Sequence, residues 1–280
     1  MINFNGNILE ENTKISINNR GYAYGDVLFE TIKVLKGTIL FWEDHYFRLM
    51  ASMRIMRMEI PMEFTMEFLE QQILKTIEAN ALQQLPARIK ITVHRNEGGL
   101  YLPTTNTVGF IISARKLDEE LYPIRKDDYE VDLFKDYYVA PGLLSTLKTN
   151  NKAINVVGSV FANENKLQNC LLLNTEKKVV EALNGTIFLV KGNTIKTPPI
   201  LDGCLKGIMR KQVIEIIKAN TDYDFVEESI SPFELQQADE LFVSNVILGI
   251  QPITKYRKKN FKSEVSQKIL ESLNKKIIQV

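Results

Sequence analysis

Lys148 stands in LSTLKTNNKAINVV, between Leu147 and the polar run Thr149-Asn150-Asn151. A lysine amine held in crowded, partly dry surroundings loses its proton readily and condenses with aldehydes. The competing reading is a solvated lysine at the entrance of an amphipathic helix. Three further stretches carry groups with chemical potential. Gly203–Arg210, GCLKGIMR, precedes an apolar-periodic segment. The open backbone N–H groups of a helix start there would suit a phosphate. It is not a P-loop, because the glycine spacing differs and no Lys-Ser/Thr pair ends it. Arg48 in HYFRL lies on an expected helix, one turn from His45, and a guanidinium matches phosphate or carboxylate. Glu181 in VVEALNGTIF follows two valines, where a half-buried carboxylate needs a cation or a donor. Singly these read as an ordinary turn, a surface arginine and a strand-end glutamate.

Taken together, a lysine, an arginine, a phosphate-binding helix start and a carboxylate are what pyridoxal 5′-phosphate requires. The lysine takes the aldehyde. The helix start and arginine hold the phosphate, and the carboxylate keeps the pyridine nitrogen protonated. Composition leaves room for such an enzyme and excludes other classes. The 280 residues are 45% hydrophobic and 25% charged, which fits a soluble globular chain of one or two domains. Thirty-five basic side chains nearly cancel 34 acidic ones, so no nucleic-acid or anionic-membrane partner is expected. No apolar run is long enough to span a bilayer, and the N-terminus lacks the pattern of a secretory signal. A cytoplasmic location follows as the expectation. The two cysteines, Cys170 and Cys204, read as reduced thiols. With only His45 and His94, no histidine-rich metal site is expected.

The elements that must position these groups alternate in type. Strand signals flank turns at Asn5-Gly6 and Lys36-Gly37, and a glycine-marked loop covers NNRGYAYGD. A helix is expected from Glu43 up to Pro61, a second over MEFTMEFLEQQILKTIEAN, then strands over ARIKITVHR and TVGFIISARKL. The polar bridge DEELYPIRKDDYE marks a boundary, giving an α/β domain over 1–122 and a second, carrying Lys148, over 123–280. There, strands turn at Glu176-Lys177 and Gly192-Asn193, helices follow Lys148 and Lys206, and an amphipathic helix closes the chain. Short turns between strands favour antiparallel or mixed sheets over a doubly wound parallel one.

Seven stretches, in order, resemble the class IV (fold type IV) pyridoxal-phosphate enzymes: NNRGYAYGDVLFETIKV, HYFRL, RNEGG, LKTNNKAINVV, VVEALNGTIFLVKGNTIKTPP, GCLKGIMR and FVSNVILGIQPI. The family includes branched-chain aminotransferases, D-amino-acid aminotransferases and 4-amino-4-deoxychorismate lyases. The resemblance implies a mixed α/β fold of two domains with the cofactor between them, and a homodimer. It implies that Lys148 is the Schiff-base lysine, Arg48 a phosphate ligand and Glu181 the partner of the pyridine nitrogen. Ile208 and Met209 match the positions whose backbone N–H groups meet the phosphate, and Ser244 and Asn245 match a second loop that reaches it.

Within the family, GCLKGIMR, LFETIKV and ADELFVSNVILGIQPI are most similar to the lyases, which release 4-aminobenzoate and pyruvate for folate synthesis. Phe29 stands where D-amino-acid aminotransferases carry tyrosine, and Leu100-Tyr101-Leu102 stand where they carry Arg-x-His. Lys152 and Ala153 occupy the place of a tyrosine typical of branched-chain enzymes. The lyase pattern also has an arginine near Leu100, and here Arg95, Tyr22 or Tyr24 would replace it. The expected substrate pocket is Tyr22, Tyr24, Phe29, Arg95, Leu100 and Tyr101. The alternative activity is transamination of a branched-chain or other hydrophobic amino acid with 2-oxoglutarate.

Overall fold

Left-handed turn residues set the first elements. Asn5 and Gly6, both at positive φ, reverse the chain between β1 (Ile2–Phe4) and β2 (Asn7–Leu9). The computed structural model describes residues 1–279 and divides into two compact units. The first holds Met1–Glu120 together with Lys148–Asn151; the second holds Leu121–Leu147 and Lys152–Gln279.

In the first unit, α1 (Arg20–Tyr24) stands where the sequence suggests only a loop. Asn19 caps it, its Oδ1 accepting from the N–H groups of Gly21 and Tyr22, and Gly25 ends it in the left-handed conformation. Then come β3 (Val27–Leu35), β4 (Thr38–Ile39), α2 (Trp42–Ile55), α3 (Met66–Ala79), β5 (Ala87–Arg95) and β6 (Val108–Lys116). Helix α2 stops at Ile55, short of Pro61, because Arg57 turns left-handed at φ 53°. The strands form one antiparallel sheet in the order β2-β1-β6-β5-β3-β4. Alternation along β5 divides its faces. Ile89, Ile91 and Val93 are fully buried, whereas Arg88, Lys90 and Thr92 are half-buried on the opposite face.

Lys148–Asn151 belongs to this first unit, whereas the sequence pattern places it in the second half. Phe29 donates its backbone N–H to the Lys148 carbonyl (2.9 Å) and Asn150 to that of Val27 (3.2 Å), with an antiparallel bridge between Leu28 and Thr149. Lys148 therefore lies in an extended segment, not at a helix entrance. The helix that follows, α4 (Ala153–Glu164), starts five residues later in the second unit.

The second unit contains β7 (Glu130–Val139), α4, β8 (Asn169–Asn174), β9 (Val179–Ala182), β10 (Thr186–Lys191), β11 (Thr194–Thr197), α5 (Ile208–Ala219), β12 (Asp224–Glu227), α6 (Pro232–Gln237), β13 (Glu240–Asn245), β14 (Gly249–Ile253), β15 (Lys255–Tyr256), β16 (Lys259–Asn260) and α7 (Glu264–Ile278). Two five-stranded sheets result, ordered β12-β11-β10-β13-β14 and β16-β15-β7-β8-β9. Both mix pairing senses: β7 runs parallel to β8 and β11 parallel to β12, and most other pairs are antiparallel. Their apolar faces share one core, with Leu171, Leu189, Leu241, Ile253 and Tyr256 at its centre. Cys170 and Cys204 are free and buried in a second cluster with Phe134 and Leu172. Burial pushes the two thiols up to about 11 and about 12, so neither is a nucleophile near neutrality. Among the described residues no helix is long and apolar enough to cross a membrane, and no cluster of residues could hold a metal ion.

Gly25 couples α1 to the Lys148 segment. Its φ is +64°, and a Cβ added there would lie 2.4 Å from Asn151 Oδ1. Gly25→Ala is expected to cost about 1–2 kcal/mol from the left-handed backbone alone. A thermal melt should show a midpoint lowered by several degrees, and an unchanged midpoint would contradict this role for the glycine.

Candidate active site

In the first unit the Lys148 ammonium lies 4.4 Å from the centroid of the Phe29 ring. The side chain is half-buried. Strand alternation puts Glu30, the residue after Phe29, on the opposite face of β3, where α2 lies. Glu30 is the electrostatic centre there. Its Oε1 accepts from Arg48 Nε (2.8 Å), its Oε2 from Arg48 Nη2, and His45 Nδ1 lies 2.7 Å from Oε2. Burial pushes the Glu30 carboxyl up, but Arg48 and His45 outweigh it and hold the group at about 2. Burial lowers His45 from its ordinary value, more strongly than Glu30 raises it. A neutral His45 donates Nδ1–H to Glu30 and leaves its buried Nε2 without a hydrogen bond. The result is a rigid platform that fixes the plane of the Arg48 guanidinium.

In the second unit, Glu181 projects from β9, half-buried, and accepts from the backbone N–H of Leu205 at 3.1 Å. That bond ties the carboxylate to the loop entering α5. Gly207 is the N-cap of α5 and contributes no side-chain cap, so the opening N–H groups of Ile208 and Met209 lack an intrahelical acceptor. A side chain at 207 would crowd the site, since a Cβ would lie 3.1 Å from Thr186 Oγ1. Thr186 pairs in register with Ser244 on β13, and the buried Ser244 Oγ has no hydrogen-bond partner. An orphaned buried hydroxyl, a helix start and a bare glycine fit an anionic ligand such as a phosphate.

The remaining expected residues divide. Asn245 is committed to its own turn: Oδ1 accepts from the N–H groups of Ile247 and Leu248, and Nδ2 donates to the Asn184 carbonyl. Its side chain shapes the loop. Arg95 requires a correction as a carboxylate binder. It is 5% exposed, and its guanidinium donates to Asp26, Asn106 and the carbonyls of Met56 and Arg57. A buried carboxylate and a tight turn consume those donors. Tyr24 and Tyr101 do come together, ring centroids 5.8 Å apart, whereas Tyr22, Leu100 and Tyr101 are each more than three-quarters exposed.

Sequence reasoning missed two organisers. Arg20 is buried, pairs with Asp26 (3.0 Å) and donates to the carbonyls of Gly98 and Leu100, fixing the loop that carries Tyr101. Glu30 was the other, although a lone glutamate inside the apolar run VLFETIKV already calls for a buried cation.

Comparison with known proteins identifies the class. The sequence profile of the family described as Amino-transferase class IV matches residues 27–256, and the chain belongs to that family. A Methanocaldococcus jannaschii protein, provisionally named a branched-chain-amino-acid aminotransferase, is 28% identical over 90% of this chain and 86% of its own length. The crystal structure of 4-amino-4-deoxychorismate lyase from Pseudomonas aeruginosa is 25% identical, with a TM-score of 0.82 and 98% of each chain covered. The branched-chain amino acid aminotransferase of Thermobaculum terrenum, solved in its PLP form, shares the fold at a TM-score of 0.84 and 22% identity, over 99% of this chain and 93% of that one.

The Glu30 platform makes stability depend on acid. The folded carboxyl sits at about 2 against an ordinary 4.5, so its contribution is complete above pH 4.5 and is lost as pH falls toward 2. That contribution is about 3 kcal/mol. Denaturant titrations of wild type should therefore show stability falling steeply from pH 5 to pH 2. Glu30→Gln should be less stable at pH 7 and should lose less over the same interval; parallel pH profiles would contradict the assignment.

Proposed function

We propose that the chain binds pyridoxal 5′-phosphate and acts on 4-amino-4-deoxychorismate, releasing 4-aminobenzoate and pyruvate. The observation that carries the first part is Lys148, held by backbone pairing to β3 with its amine against an aromatic ring. The donor sets support the cofactor: the N–H groups of Ile208 and Met209 and the Ser244 hydroxyl suit its phosphate, and Glu181 suits a protonated ring nitrogen. Arg48, oriented by Glu30, adds a cation for the phosphate.

When bound, pyridoxal phosphate supplies an aldehyde that takes up an amine and a conjugated ring that accepts an electron pair. Lys148 Nζ would be the group that holds the cofactor through its aldehyde. Lys148 Nζ would also serve as the base that takes the proton from the substrate ring carbon bearing the amine. Loss of the enolpyruvyl oxygen from the neighbouring carbon makes the ring aromatic. The departing enolate takes up a proton, so substrate equals 4-aminobenzoate plus pyruvate with no added reactant. Glu181 would be the hydrogen-bond partner of the cofactor's ring nitrogen.

The lyase reading is supported by the end-to-end likeness to the Pseudomonas aeruginosa lyase. The loop that carries Leu100, Tyr101 and Leu102 also presents apolar and aromatic surface suited to a ring-shaped substrate. Transamination of a hydrophobic amino acid is the second reading, favoured by the Methanocaldococcus jannaschii relative. The protein works as a homodimer in this account; α4 exposes Val156, Val157 and Val160, apolar surface that a second copy would cover.

A turnover assay on cofactor-loaded protein tests the proposal. Wild type should form 4-aminobenzoate and pyruvate in equal amounts, and Lys148→Ala should lose at least about 10³-fold of the rate, as expected when the group that transfers the proton is removed. Ser244→Ala should weaken retention of the cofactor while leaving the fold intact. Near-normal turnover in Lys148→Ala would overturn the mechanism. A loaded protein that is inactive on this substrate, yet moves amino groups to 2-oxoglutarate, would overturn the lyase reading alone.

A further inference from the structure

Three asparagine side chains converge on the turn between β9 and β10 in the second unit. Asn155 Nδ2 donates to the Leu183 carbonyl (2.7 Å), Asn245 Nδ2 donates to the Asn184 carbonyl (3.1 Å), and Asn169 bonds to both Leu183 and Asn184. Asn169 opens β8 and is 2% exposed. Its Nδ2 donates to Tyr129 Oη (2.9 Å) and to Asn184 Oδ1 (2.8 Å). Its Oδ1 accepts from the N–H groups of Cys170 (2.8 Å) and Leu183 (3.2 Å). Two donated and two accepted bonds saturate a side-chain amide, and each one lost would leave a buried polar group unpaired.

The turn that Asn169 grips separates the two ends of the candidate site in this unit. Glu181 precedes it and is held independently, paired in register with Leu172 on β8. After the turn, Thr186 and Ser244 form the end pair of the β10–β13 ladder. Gly185 packs directly onto that pair: a Cβ there would lie 2.6 Å from the Ser244 carbonyl oxygen and 2.5 Å from Val243 Cγ1. The Asn184 carbonyl also anchors Asn245, whose Oδ1 holds the N–H groups of Ile247 and Leu248. Displacing the turn therefore displaces the Ser244 hydroxyl and the loop after it, and leaves Glu181 in its ladder.

We infer that Asn169 is a positioning residue for the phosphate end of the cofactor site: through the Leu183–Gly185 turn it fixes Ser244 and the following loop against the start of α5. The inference rests on the reading of Ser244 and the opening N–H groups of α5 as the phosphate site. Thr186 completes the link to the helix, since its Oγ1 lies 3.1 Å from where a Gly207 Cβ would stand. A rigid aromatic ligand gripped at its ring nitrogen and at its phosphate needs the two grips at a fixed separation. A turn ordered in advance by the protein removes the cost of ordering it on binding.

Titration of the full-length protein with two ligands, followed by their visible bands, tests this without turnover. One is pyridoxal phosphate. The other is 5′-deoxypyridoxal, which keeps the aldehyde and the ring nitrogen but carries a methyl group in place of the phosphate arm. Wild type should bind pyridoxal phosphate more tightly. Asn169→Ala should lose at least about tenfold in affinity for pyridoxal phosphate, the worth of one charge-assisted hydrogen bond, and no more than about threefold for 5′-deoxypyridoxal. Asn184→Ala removes only the exposed end of the contact and should show the same pattern at smaller magnitude; it decides the matter where Asn169→Ala does not fold. Adding Asn245→Ala to Asn169→Ala should cost less than the two single losses combined, because both act on one turn. A melting curve establishes that each variant is folded. Equal losses for the two ligands, or none, would make Asn169 a fold residue alone and overturn the inference. A wild type that binds the two ligands alike has no phosphate grip, which overturns the reading of Ser244 and α5 and the inference with it.

Discussion

The pairing of Lys148–Asn151 with the start of β3 is the constraint on which the candidate site depends. Two backbone hydrogen bonds and one bridge fix the chain at Lys148 and just after it. A lysine side chain has four rotatable bonds, and in water its amine samples a wide volume. Anchoring the backbone to a strand, and laying the stem against Phe29, reduces that volume to one region. The same strand then serves twice. Phe29 faces the amine, and Glu30, one residue on, faces the helix that carries Arg48 and His45. A single extended segment thus fixes the amine and orients the arginine.

Electrostatics divides the labour in a complementary way. Glu30 is deeply buried and ionised because Arg48 matches its charge and His45 hydrogen-bonds to it, so it behaves as structure. Glu181 is half-buried, and the backbone N–H of Leu205 donates to it. At the start of α5 the positive end of the helix dipole, a bare glycine and an orphaned hydroxyl favour an anion.

Much of this was legible from residue types. Asn5-Gly6, Lys36-Gly37 and Gly192-Asn193 all turn where turn chemistry demands, and the apolar periods of α3, α5 and α7 follow from their spacing. Lys148 was misplaced locally, since NNKAINVV reads as helix and nothing in it reveals pairing with a strand more than 100 residues earlier. Arg95 and Asn245 have the right type for binding, yet their partners are local carbonyls and amides that no side-chain pattern discloses. The Glu30–His45–Arg48 cluster joins a strand to a helix, so its spacing has no fixed period; only the isolated glutamate in an apolar strand signals it.

The central claim is that one amine, Lys148, takes the cofactor aldehyde. Two other lysines on the same unit compete chemically: burial pushes Lys33 down to about 8 and lowers Lys90 as well, making both better nucleophiles than exposed lysines. Loading the protein with pyridoxal phosphate, reducing it with borohydride and mapping the modified peptides by mass spectrometry distinguishes them. The account predicts a single pyridoxyl group per chain, on Lys148. Pyridoxyl on Lys33 or Lys90 with Lys148 unmodified would contradict it.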